Sequence, residues 1–137
     1  MALETTLVYE LEPPVPFTCA NATGIEKGAL LVLSDPMTVA TTTGDTDAII
    51  GIAAEEKIAN DGKTKMPVYL RGIFKGFAGA AGVVAGMAII SDTATGAANE
   101  LVVADVNSEH IVGRALETAT DTESFLFLLA PFAAQLA

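Results

Sequence analysis

The apolar residues of this chain come in short runs, each closed by turn residues, and this pattern limits the fold more than any single motif. From Ile25 onward, "KGALLVLSD", "MTVATTTGD", "AIIGIAAEE", "MPVYLRGIF", "ELVVADV", "HIVGRALE" and "SFLFLLAPF" follow one another. β-Branched and aromatic residues fill these runs. Ser34-Asp35-Pro36, Gly44-Asp45 and Asn60-Asp61-Gly62-Lys63 are turn signals between them. Short strands in succession predict a mostly β fold, a small antiparallel barrel or sandwich. Helical signal is thin. Its best candidate, residues 46–59, holds good helix formers from Ala53 to Lys57. Gly51 and the β-branched Ile49, Ile50 and Ile52 instead favour a strand through Ile52, then an irregular or briefly helical connection.

Between Lys75 and Ser91 lie fifteen uncharged residues, four of them Gly and five Ala. A helical membrane span needs about 20 apolar residues, and the glycines weaken a helix further. A phosphate-binding loop is also excluded: no Gly-Lys-[Ser/Thr] closes the stretch, and Gly-x-Gly-x-x-Gly is not matched. The remaining reading is a strand over residues 71–77, a small-residue turn over 79–82 and a strand over 87–91. Small side chains permit close backbone approach there, suiting either a tight barrel corner or the centre of a symmetric subunit contact.

The chain also echoes itself. "KGALLVLSDP" and "AGMAIISDT" share glycine, apolar run and Ser-Asp turn; "AIIGIAAE" and "HIVGRALE" share a glycine inside an apolar run. Two units in matching order predict a barrel of two similar halves, neither able to bury its apolar face alone. Residues 1–24 read differently, as an extended N-terminal arm ahead of a barrel domain over residues 25–137. "LVYEL" is a short strand candidate, and Pro13, Pro14 and Pro16 stiffen the chain beyond it. Leu7, Tyr9, Leu11 and Phe17 make this arm a contact candidate, packed either on its own domain or across a neighbour by strand addition. Acidic residues stand where a signal peptide carries positive charge, so no secretion signal is expected.

Composition narrows the function. Seventeen acidic residues against seven basic ones give a net charge of −10, the opposite of a phosphate-tracking surface. Five of the seven basic residues, Lys57, Lys63, Lys65, Arg71 and Lys75, fall within residues 57–75, and that run is the candidate for a charged contact. Cys19 is the lone cysteine and reads as a small buried hydrophobe. His110 reads as a strand-edge residue, with no second His or nearby Cys to build a zinc site. Asp35, Asp45 and Asp47 lack the Gly and terminal Glu of a calcium loop and read as a solvated acidic turn. No catalytic group, metal or other cofactor is expected. Neither nucleic acid nor a membrane is expected as a partner. Two Tyr and no Trp leave few stacking platforms for sugars.

The succession "IIGIAAEE … MPVYLRGIFKG … VVAGMAIISD … IVGRALE … FLFLLAPF" resembles a family of small phage head proteins, the decoration or capsid-cement proteins. Its elements fall on residues 50–53, 68–74, 83–92, 112–116 and 125–132. The resemblance implies a compact β-barrel or β-tulip with an extended N-terminal arm, acting as a homotrimer on the outer face of the virion. It also implies the major capsid protein as partner, with neighbouring subunits clamped together. Leu7, Tyr9, Leu11, Phe17, Lys63, Lys65, Arg71 and Lys75 are the contact candidates. A tail or head-completion protein is the nearest alternative, and a carbohydrate- or host-surface-binding β module a more distant one.

Overall fold

In a computed structural model, residues 5–42, 49–91, 100–103 and 110–133 are described, with backbone alone at positions 110, 132 and 133. The acidic pair Asp45 and Asp47 and the side chain of His110 lie outside these. The described residues contain eleven strands and no helix. They are β1 (Thr6–Glu10), β2 (Val15–Cys19), β3 (Leu30–Ser34), β4 (Thr38–Thr41), β5 (Ile49–Ala53), β6 (Lys65–Tyr69), β7 (Gly72–Ala78), β8 (Ala88–Ser91), β9 (Glu100–Val103), β10 (His110–Ala115) and β11 (Ser124–Ala133). The mostly β reading holds, and β5 followed by an irregular connection is the arrangement that the isoleucines around Gly51 predicted.

The strands close into two barrels. The first runs β2-β4-β3-β5-β6 and returns to β2. The second runs β7-β9-β8-β10-β11 and returns to β7, with β1 added beside β7. Both orders are the same once each strand is advanced by five. Within each barrel one contact is parallel, β2 with β4 and β7 with β9, and the rest are antiparallel. The internal echo therefore marks a duplication. The echo in the sequence predicts one barrel of two halves, whereas each copy closes its own. Closure removes exposed strand edges from both copies.

The copies correspond residue by residue. Leu31 pairs with Gly51, and Ile89 with Gly113. A Cβ on Gly51 would collide with the Tyr69 carbonyl oxygen, and one on Gly113 with that of Leu128. This close approach is why each apolar run keeps its glycine. Both glycines sit at a register shift. Gly28 and Gly86 turn the chain into β3 and β8 with φ of 83° and 87°, in the region where L side chains are strained. Asn60 and Thr122 repeat a positive φ (62° and 69°). One residue on, Asp61 and Glu123 repeat a carboxylate turn: Ile58 N–H donates to Asp61 Oδ2 (3.2 Å) and Thr120 N–H to Glu123 Oε1 (2.7 Å).

Two apolar cores result. Phe17, Cys19, Leu31, Val39, Met66 and Val68 fill the first barrel. Phe74, Phe125, Phe127, Leu101 and Leu129 fill the second, and Leu30, Ile49 and Ile52 from the first barrel join them. The two barrels are thus welded by β5 and its neighbours. The run "MPVYLRGIF", read as one strand, is cut between Tyr69 and Gly72, where the chain passes from one barrel to the other. At Gly72 a Cβ would come within 2.9 Å of the Phe74 ring and 3.2 Å of the Tyr9 carbonyl oxygen.

Candidate interaction surface

The described part of the expected arm, residues 5–24, is divided by the structure rather than kept as one piece. Thr5 N–H donates to the Gly28 carbonyl (3.2 Å), and β1 pairs with β7 from Thr6↔Lys75 to Glu10↔Gly72. Prolines then carry the chain to β2, which is a wall of the first barrel. Phe17 accordingly lies in that barrel's core, 6% exposed, and is not a surface contact residue. Along β2 Pro16 faces out and Phe17 faces in, and Pro16 stands opposite Pro67 of β6. The sequence signal for β2 is the Val15-x-Phe17-x-Cys19 alternation, obscured by Pro16 within it and by Pro13 and Pro14 just before it.

In a regular strand Leu7, Tyr9 and Leu11 would share one face. A register shift between Leu7 and Tyr9 breaks that alternation. Leu7 turns inward and packs on the second barrel's core. Val8, Tyr9 and Leu11 are left 41%, 63% and 53% exposed. Among the described residues β1 pairs on one side only, and its outer edge presents backbone donors and acceptors beside these apolar side chains.

The basic run is split by the fold. Lys57 points inward, 2% exposed, and its Nζ donates to the Asn21 and Ile58 carbonyls (2.8 and 3.2 Å) and lies 3.4 Å from Asp61 Oδ1. A charge so buried is held by its partners and is unavailable to a partner protein. Lys63, Lys65, Arg71 and Lys75 are exposed. Lys63 and Lys65 belong to the first barrel, on the turn before β6 and at its start. Arg71 and Lys75 flank and enter β7, the strand that carries β1. Arg71 also lines an open cleft of about 430 Å³ with Glu12, Ile50, Leu70, Ala130 and Pro131. Exposed apolar side chains that sequence reading did not single out are Leu33, Met37, Ile58, Val84, Met87 and Leu116.

Burial pushes the Cys19 thiol up, with Lys57 acting against it, so the group stays protonated and unreactive at neutral pH. Hydrogen bonds to backbone hold the Asp61 carboxyl below its ordinary range, from Lys63 N–H first, and the Thr120 N–H and hydroxyl do the same for Glu123. A depressed acid stabilises the fold fully above its unfolded-state value, and that contribution is lost as pH falls through the folded-state value. Urea unfolding midpoints should therefore drop below about pH 4.5. Asp61→Asn with Glu123→Gln should lower the midpoint at pH 7 and flatten the acid limb. An acid limb as steep in the double variant as in the parent would refute this assignment.

Among the described residues no group of His, Cys, Asp or Glu is arranged to hold a metal. What the described residues do present is paired barrels, a strand at a sheet edge and exposed apolar tips. A family profile for phage cement proteins matches residues 10–129, and the chain belongs to that family. It is a capsid-associated structural protein of a phage, without catalytic function. Its fold is similar to the crystal structure of the N base of head fiber gp8.5 of bacteriophage phi29, at TM-score 0.55 and 17% identity, over 85% of this chain and 93% of that one. No curated protein sequence matches the chain.

Proposed function

We propose that the protein sits on the outer face of the phage head as a homotrimer and ties neighbouring major capsid subunits together. The observation that carries this reading is the outward strip on β1 and the link after it, where Val8, Tyr9 and Leu11 stand exposed beside a strand edge that no described residue pairs with. An extended segment of a capsid subunit adds to such an edge through main-chain hydrogen bonds, while the flanking side chains fill its pockets. Lys75 and Arg71 lie along the same strip and supply positive charge to an otherwise acidic molecule, with Lys63 and Lys65 offering a second site on the first barrel. Three copies held together engage several subunits at once, so weak single contacts sum to durable attachment. The fold shared with a head fiber base supports a place on the head.

The test is binding of purified chain to heads lacking it, followed by co-sedimentation. Tyr9→Asp with Leu11→Asp should weaken binding at least about tenfold while leaving the urea midpoint unchanged, because neither side chain is in a core. Binding at parental strength would remove the β1 strip from the capsid contact.

A further inference from the structure

Inside the chain, an outer face of the first barrel covers the open end of the second. Leu30 and Ile52, paired across β3 and β5, share one core with Phe74, Val112 and Leu129. Tyr69 meets the Phe74 ring edge-on at 5.6 Å. Because the barrels are copies, each side of this contact has a counterpart that makes no such contact among the described residues.

The first unused half is the open end of the first barrel. Val15, Ile50 and Leu70 occupy the positions of Phe74, Val112 and Leu129. The latter three are 1%, 0% and 0% exposed under the first barrel. Val15, Ile50 and Leu70 remain only partly buried, and Ile50 and Leu70 line the open cleft of about 430 Å³. The second unused half is the outer face of the second barrel. Ala88 and Arg114 pair as Leu30 and Ile52 do. Beside them Leu116 stands in the position of Ala54. Leu116 is 43% exposed and Met87 at its margin 49%, whereas the corresponding Ala29 is 3% exposed. The covered face has Ile52 where the open face has Arg114, and among the described residues the cleft rim holds one acid for it, Glu12, beside Arg71.

We propose that these two halves meet between copies: the face around Arg114 and Leu116 seats on the open end of the first barrel of a second copy, over Val15, Ile50 and Leu70, with Arg114 facing Glu12. The occupant is a second copy because the chain already makes the equivalent contact with itself, and both complementary halves are present on each molecule. The joint is heterologous, unlike face to unlike face, and so closes only in a ring. It rests on the homo-oligomer proposed above and assigns its contact surface.

Sedimentation equilibrium on the full chain tests it. Arg114→Glu and Glu12→Arg should each weaken self-association about tenfold or more, and the two together should restore it to within about threefold of the parent. A second readout is oxidation by hydrogen peroxide, followed by peptide mass. Met87 should be protected in the assembled parent and oxidised freely in Leu116→Asp, while Met37 reacts alike in both. Folded single variants that associate as the parent does, or a double variant that fails to recover, would overturn the proposal. A parent that stays at the 14.0 kDa chain mass would overturn it too. Such a monomer could still bind heads, so this result is distinct from failure of the capsid reading.

Discussion

Replacing Gly113 with alanine is expected to remove about 3–5 kcal/mol of stability, or to prevent folding. Gly113 lies inside β10, a strand that pairs on both sides, with β8 and β11. Its α-carbon packs so closely on β11 that an added methyl would collide with the Leu128 carbonyl oxygen, and the Leu128 carbonyl carbon and Ala130 nitrogen stand 2.9 and 3.2 Å away. These are backbone atoms of a barrel wall, so no side-chain rotation relieves the clash. Relief requires moving β11, which also carries Phe125, Phe127 and Leu129 into the core. Urea unfolding followed by circular dichroism gives the loss directly. A cost below about 1 kcal/mol would mean that the wall is far more compliant than close packing allows. Gly51→Ala should behave alike in the first barrel, since its obstacle is the Tyr69 carbonyl oxygen.

Phe127→Ala is expected to cost a similar amount, about 3–5 kcal/mol, by a different route. Phe127 has no exposed surface. Its ring lies 6.1 Å from that of Phe74 in a stacked arrangement and 5.6 Å from that of Phe125. The edge of the same ring fills the space that a side chain at Gly76 would take, 2.8 Å from an ideal Cβ. Removing it empties the centre of the second barrel beneath the strands that hold β1. Because Leu7 packs on that core, the variant should also loosen β1 and raise hydrogen exchange along it. An alanine at Tyr9, by contrast, should change stability by no more than about 0.5 kcal/mol. Similar losses at Phe127 and Tyr9 would contradict the division between core and outward strip.

Several of these features were legible in the residues. The glycines at 51 and 113 stood out as interruptions inside apolar runs, and the structure gives both the same close strand contact. The paired "GALLVLSD" and "GMAIISD" segments mark β3 and β8. Gly79 to Gly82 did prove to be a turn, closed by the Gly82 N–H on the Gly79 carbonyl at 2.9 Å. The number of barrels was not legible. Closure of each copy depends on a parallel contact of two residue pairs, Thr18↔Thr38 with Cys19↔Val39 and Phe77↔Glu100 with Ala78↔Leu101. Contacts so short and so distant in sequence leave no periodicity to read. β2 was hidden because Pro16 sits on its outward side, where composition resembles a linker. The basic run misled in part because Lys57 is turned inward by a turn geometry that Asn21 and Asp61 complete. Tyr9 and Leu11 were legible as contact candidates, but the bulge that separates Leu7 from them was not.

The central claim is that this phage cement protein attaches to the outside of the head and bridges capsid subunits. Image reconstruction of heads assembled with and without the chain tests it most directly. The account predicts added density on the outer surface at junctions between major capsid subunits, with β1 lying against the shell, and heads that resist heating better when it is present. Density confined to the tail or portal, or heads of equal heat resistance with and without the chain, would contradict it.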